Sequence, residues 1–124
     1  MKIIKAYCYR INKMQKDQVQ EITQLEFSKI INDKKMNLAI IDFFAEWCMP
    51  CVMMGPVFQR LSEKYKQVKF AKINVDDAGK LAEEYEISSI PCIVFFKDGE
   101  EVDRITGSIS EDLLTEKISD YLRL

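Results

Sequence analysis

At 124 residues, with 48% hydrophobic and 31% charged side chains and only 4 Gly and 3 Pro, the sequence is of single-domain size and apolar enough to build one core. Disordered, collagenous and low-complexity classes are excluded. A net charge of −2 argues against the nucleic-acid backbone as main partner. The absence of histidine removes Ser-His-Asp and Cys-His hydrolases and His-ligated zinc enzymes together.

Residues 1–20 carry Lys2, Lys5, Arg10, Lys13 and Lys16 against Asp17 and read as an N-terminal extension to a domain at 21–124. Ile3, Ile4, Tyr7, Tyr9 and Ile11 give the extension strand character, and Asn12 to Gln20 reads as a connector or short helix. It either pads a sheet edge or forms a partner-binding arm. Its charges break any apolar run, so no secretory signal is read and a cytoplasmic, reducing address is expected. The longest uncharged stretch, Trp47 to Gln59, is thirteen residues and is interrupted by Pro50, Gly55 and Pro56, too short to span a bilayer.

Val19 to Thr23 supplies a first strand, and Leu25, Phe27, Ile30 and Ile31 mark a helix after it. Leu38 to Phe44 (LAIIDFF) is a nearly continuous apolar run, as expected of a central strand covered on both faces. Met54, Val57, Phe58, Leu61 and Tyr65 predict a helix from about Cys51 to Tyr65, kinked at Pro56. A strand from Val68 to Val75 and a short helix from about Ala78 to Tyr85 follow. Cys92 to Phe96 and Glu101 to Ile105 flank Asp98-Gly99, a two-residue hairpin signal. Leu114, Ile118, Tyr121 and Leu122 lie on one face of a last helix, capped by Ser110. The condensed order is βαβαββα.

Cys48-Met49-Pro50-Cys51 falls where the central strand ends and the kinked helix begins. Unpaired N–H groups and the positive end of the helix dipole there stabilise a sulfur anion, so Cys48 is assigned as nucleophile. Cys51, about one turn deeper, is the resolving thiol, and Pro50 restricts the loop between them. The same spacing serves half of many zinc sites. With no histidine, however, the further ligands would have to be Cys8, Cys92 or carboxylates, so neither a metal nor an iron–sulfur cluster is expected. Asp42 is a carboxylate inside LAIIDFF. Desolvation there raises its pKa and lets it take the proton of Cys51; the alternative is a solvated strand end or a cap. Lys72 either lies beside Asp42 and lowers that pKa again or snorkels to solvent.

Three blocks carry a family likeness: IDFFAEWCMPC at 41–51, SSIPCIVFFKDGE at 88–100 and TGS at 106–108, joined by KINVDD at 72–77 and Pro56. In order and spacing they resemble the thioredoxin family over about 100 of the 124 residues. The resemblance implies an α/β, thioredoxin-like fold: a central mixed β-sheet flanked by helices on both faces, an exposed reactive cysteine and a cis Pro91. By position, Cys48 and Cys51 match the family's nucleophile and resolving cysteine, Asp42 its buried acid and Lys72 the lysine neighbour. Trp47, Met49, Pro50, Ile90, Pro91 and Gly107 fall on the substrate-binding surface, where the Ile90 backbone would pair with an extended client segment. Met49 stands where the family usually has Gly, and Val52 where Lys or Arg is common. Both bear on the reduction potential, which in this fold runs from about −270 to about −120 mV.

Cys92 is either an auxiliary thiol near the active pair or a small buried residue, and Cys8 is read in the same way. The leading function is thioredoxin-type reduction of protein disulfides by dithiol–disulfide exchange, without a bound cofactor. Disulfide-containing client proteins and a thioredoxin reductase-type electron donor are the partners, nucleic acid and membrane are not, and a monomer is expected. The alternatives are a thioredoxin-fold adaptor module with incidental cysteines, and a disulfide oxidant or isomerase with a shifted potential.

Overall fold

The computed structural model of the chain describes residues 19–123. The extension predicted for residues 1–20 therefore lies, apart from Val19 and Gln20, outside the described residues, as does Cys8. The elements are β1 (Gln20–Glu21), α1 (Gln24–Ile31), β2 (Leu38–Phe44), α2 (Met49–Lys64), β3 (Val68–Asn74), α3 (Gly79–Glu84), β4 (Cys92–Lys97), β5 (Glu100–Thr106) and α4 (Glu111–Leu122). The order βαβαβαββα matches the elements read one by one from the sequence; the condensed order βαβαββα leaves out one strand–helix pair of that same reading.

The sheet runs β1-β3-β2-β4-β5. β1 and β2 lie parallel to β3, while β2–β4 and β4–β5 are antiparallel, so the sheet is mixed. The hairpin falls where Asp98-Gly99 predicts it. Both residues have positive φ, 53° and 81°, as a tight two-residue turn requires. The positive φ of residue 99 favours glycine, and a Cβ there would also push aside the end of the Asn32 side chain.

Alternation along the strands sorts the core into two layers. Ala39, Ile41 and Phe43 of β2 face α1 and α3, packing with Phe27, Ile31, Leu81, Val94 and Phe96. Leu38 and Ile40 face α2 and α4, packing with Met54, Phe58, Leu61, Leu114 and Ile118. Asp42 belongs to this second set by register. LAIIDFF is apolar on both faces because helices cover both; six of its seven residues are buried.

The helix starts follow from side-chain chemistry. Thr23 and Glu26 form a reciprocal capping box on α1. Ser110 Oγ accepts from Leu113 N–H (3.3 Å) at the start of α4, whose first turn carries Glu111 and Asp112. α2 begins at Met49 rather than near Cys51, because Pro50 suits the first helical turn and Cys48 itself acts as N-cap. The helix runs on through Pro56, whose missing N–H leaves the Val52 carbonyl without its intrahelical donor.

One end of the sheet collects the ends that matter. The parallel pair β2–β3 brings both C-termini to the same edge, where Val75 N–H donates to Phe44 O at 2.9 Å. β4 runs the other way, so its first residue, Cys92, pairs with Phe43, and Thr106 at the end of β5 pairs with Cys92. The head of α2, the segment before β4 and the loop after β5 therefore converge.

Candidate active site

Cys48 closes a turn onto Ala45 O (3.2 Å) and then starts α2. Its backbone is extended (φ −90°, ψ 105°), and its Sγ accepts from Cys51 N–H at 3.3 Å. A sulfur in this position meets an otherwise unpaired amide at the positive end of a 16-residue helix. Cys48 and Cys51 are joined as a disulfide, with Cα atoms 5.3 Å apart. The pair packs with Ala45, and Phe44, Val75 and Ile90 close over it.

The resemblance implied an exposed nucleophile, and the structure corrects this: Cys48 is only 5% exposed. The disulfide turns its sulfur onto Cys51, and the Ile90 carbonyl oxygen stands 3.8 Å from Sγ on the other side. Exposure belongs to the flanking side chains, Trp47 at 73% and Met49 at 68%. Val52 and Met53, three and four residues beyond Met49 and so on the same side of α2, are also exposed. An apolar rim without charge thus adjoins the disulfide.

The Ile90–Pro91 bond is cis. Gly107, at φ 89°, donates its N–H to the Pro91 carbonyl at 2.7 Å, which ties the loop after β5 to the segment before β4. Trp47 is held by a contact that sequence reasoning did not identify: its indole N–H donates to Asp76 at 2.9 Å, and Asp76 N–H in turn donates to Asn74 Oδ1 at 2.9 Å. KINVDD contains this acid, but only the parallel β2–β3 pairing shows that it reaches the turn before Cys48.

Asp42 lies beneath the site on the α2 side of the sheet, 3% exposed, and its Oδ1 has no hydrogen-bond partner. Burial pushes its pKa up to about 7, with the Lys72 charge acting in the opposite direction. Lys72 is its register partner on β3, the neighbour that the resemblance implied. Cys92 is a free, buried thiol on the opposite face, among the side chains packed under α1 and α3. Its sulfur is 3.9 Å from Thr106 Oγ1, and burial raises its pKa. Among the described residues no three His, Cys, Asp or Glu side chains converge as a metal site, and no helix is long and apolar enough to cross a membrane.

Two sulfurs poised at a helix mouth, a buried carboxyl below them and backbone acceptors beside them define a thiol–disulfide exchange protein. The thioredoxin family model matches residues 18–120. Thioredoxin from Chlamydia pneumoniae is 45% identical over 84 residues, 68% of this chain and 82% of that protein. Among solved structures, a mutant thioredoxin from Halobacterium salinarum superposes with a TM-score of 0.78 at 35% identity, covering 85% of this chain and 91% of that one. Mitochondrial thioredoxin 3 of Saccharomyces cerevisiae, in its oxidised form, gives 0.75 at 33% identity, covering 86% and 98%. The chain belongs to the thioredoxin family.

Proposed function

We propose that the chain is a reductant of protein disulfides in which Cys48 attacks and Cys51 resolves. The observation that carries the assignment is the position of Cys48 as N-cap of α2, its sulfur on the Cys51 amide. In the reduced protein the Cys48 thiolate attacks one sulfur of a client disulfide; the other client sulfur leaves as a thiolate and takes up a proton from water. Cys51 then gives its proton to Asp42 and attacks Cys48 Sγ, which releases the second client thiol and leaves the Cys48–Cys51 disulfide. Two electrons pass from this pair to the client.

The rest of the site serves docking. The Ile90 backbone just before β4 is offered to an extended client strand, and the bond from Gly107 N–H to the Pro91 carbonyl fixes that edge. Trp47, Met49, Val52 and Met53 offer apolar contact, with Met as the adaptable element. Disulfide-containing proteins are the clients, and a thioredoxin reductase-type donor restores the dithiol. Monomeric state and a cytoplasmic, reducing address complete the proposal.

The test is equilibration of the Cys48–Cys51 pair against a graded glutathione redox series. A reductant is expected to settle toward about −270 mV. A value near about −120 mV would assign the chain as an oxidant instead.

A further inference from the structure

Lys72 has two neighbours on its face of the sheet. Asp42 is its register partner in β2, and Phe44, two residues further along β2, points to the same side. The Lys72 ammonium lies 5.1 Å from the centre of the Phe44 ring, inside the ~6 Å reach of a cation–π contact. The ion pairs among the described residues do not join Lys72 to Asp42. The ammonium thus rests on the ring although a buried carboxyl with an unpartnered oxygen stands beside it. Phe44, half-buried, packs in turn on Ala45, Cys48 and Cys51.

We propose that Phe44 is a positioning residue for the thiol chemistry: its ring face holds the Lys72 ammonium beside the Asp42 carboxyl but out of ion pair with it. A lysine in direct contact would fix Asp42 as a carboxylate with little affinity for a proton. A lysine free to enter water would move the carboxyl's midpoint up, so that less of it is ionised at neutral pH and able to take the proton of Cys51. The ring selects the setting between these, and it restrains a long side chain that otherwise regains its rotamer freedom. The Cys48–Cys51 pair at the head of α2 is joined as a disulfide and does not titrate, and Cys92 on β4, on the opposite face of the sheet, is a thiol that feels the Asp42 charge. From α4, Leu114 and Ile118 are presented to this face.

The inference rests on Asp42 being the proton acceptor for Cys51, but its test reads the ionisation of Asp42 directly and so is independent of that role. The side-chain carboxyl of Asp42 is followed by carbon NMR across pH in the oxidised protein. In Phe44→Leu, release of the ammonium to water is expected to move the midpoint up by about half a pH unit. Phe44→Tyr, which keeps a ring face, should match the original chain. In a Lys72→Met background, Phe44→Leu should add nothing. Loosened packing alone would let water reach the carboxyl and move the midpoint down. A downward shift, no shift, or an upward shift that persists without Lys72 overturns the proposal. Phe44→Met, of similar bulk and without a ring, replaces Phe44→Leu if the latter does not fold, and the same outcomes decide.

Discussion

Cys48→Ser is expected to abolish reduction of insulin disulfides, a loss of about a thousandfold or more, because a hydroxyl at the mouth of α2 is neither ionised at neutral pH nor able to form a mixed disulfide. Cys51→Ser should behave differently. Its Cys48 remains at the helix N-terminus, so the first attack proceeds, but nothing resolves the product. The variant should give at most one turnover and accumulate as a covalent adduct with the client, visible by mass spectrometry under non-reducing conditions. The distinction follows from position on the helix, since both residues are equally covered: Cys48 is the N-cap beside the exposed Trp47 and Met49, whereas Cys51 sits within the first turn of α2. Adduct formation through Cys51 in the Cys48→Ser protein would reverse the assignment.

Asp42→Asn is expected to stabilise the fold at alkaline pH and slow the chemistry. The carboxyl ionises near 7 in the folded chain against 3.8 ordinarily. Between about pH 4 and pH 7 the folded chain therefore holds a proton that the unfolded chain has released. Unfolding releases that proton, so stability falls as pH rises through this window and is lowest above it. At about 1.4 kcal/mol for each pH unit the loss is on the order of 4 kcal/mol. Asn has the shape of the neutral carboxyl without its titration, so the gain over the original chain should approach that figure at pH 8 and be small at pH 4. Urea midpoints at pH 4, 6 and 8 check this: a falling series for the original chain and a flat one for Asp42→Asn. Parallel slopes would show that Asp42 is not the neutral acid of the core. The same variant should slow turnover at pH 7 by about tenfold or more, since Cys51 loses its proton acceptor, while single-turnover attack by Cys48 is unchanged.

Much of this was legible in the sequence, and the reasons are physical. LAIIDFF gave a strand with the observed bounds, because a continuous apolar run ended by a turn has few other homes. Asp98-Gly99 fixed the hairpin through its need for positive φ. Cys48 and Cys51 were evident from their spacing at a strand-to-helix junction, and Asp42 stood out as an acid among apolar neighbours. What stayed hidden depends on register and on contact across the chain. The start of α2 was placed late because cysteine is not among the usual capping residues. The Thr23–Glu26 capping box was present as a motif and went unread. The burial of Cys48 required Ile90, 42 residues away, and the anchoring of Trp47 required Asp76, 29 residues on. Val52 was read as a missing cation, whereas with Met49 and Met53 it forms an apolar rim. The resting place of Lys72 on Phe44 appears only once β2 and β3 are aligned.

The chemistry turns on whether the mouth of α2 holds the sulfur of residue 48 as an anion. The direct measurement is the pH dependence of alkylation of the fully reduced protein by iodoacetamide, with the modified site identified by mass. Half-maximal reactivity of Cys48 is expected at or below about pH 7.5, where a helix-capping thiol ionises. A midpoint at about 8.5 or higher, the range of a thiol with no such support, would contradict it.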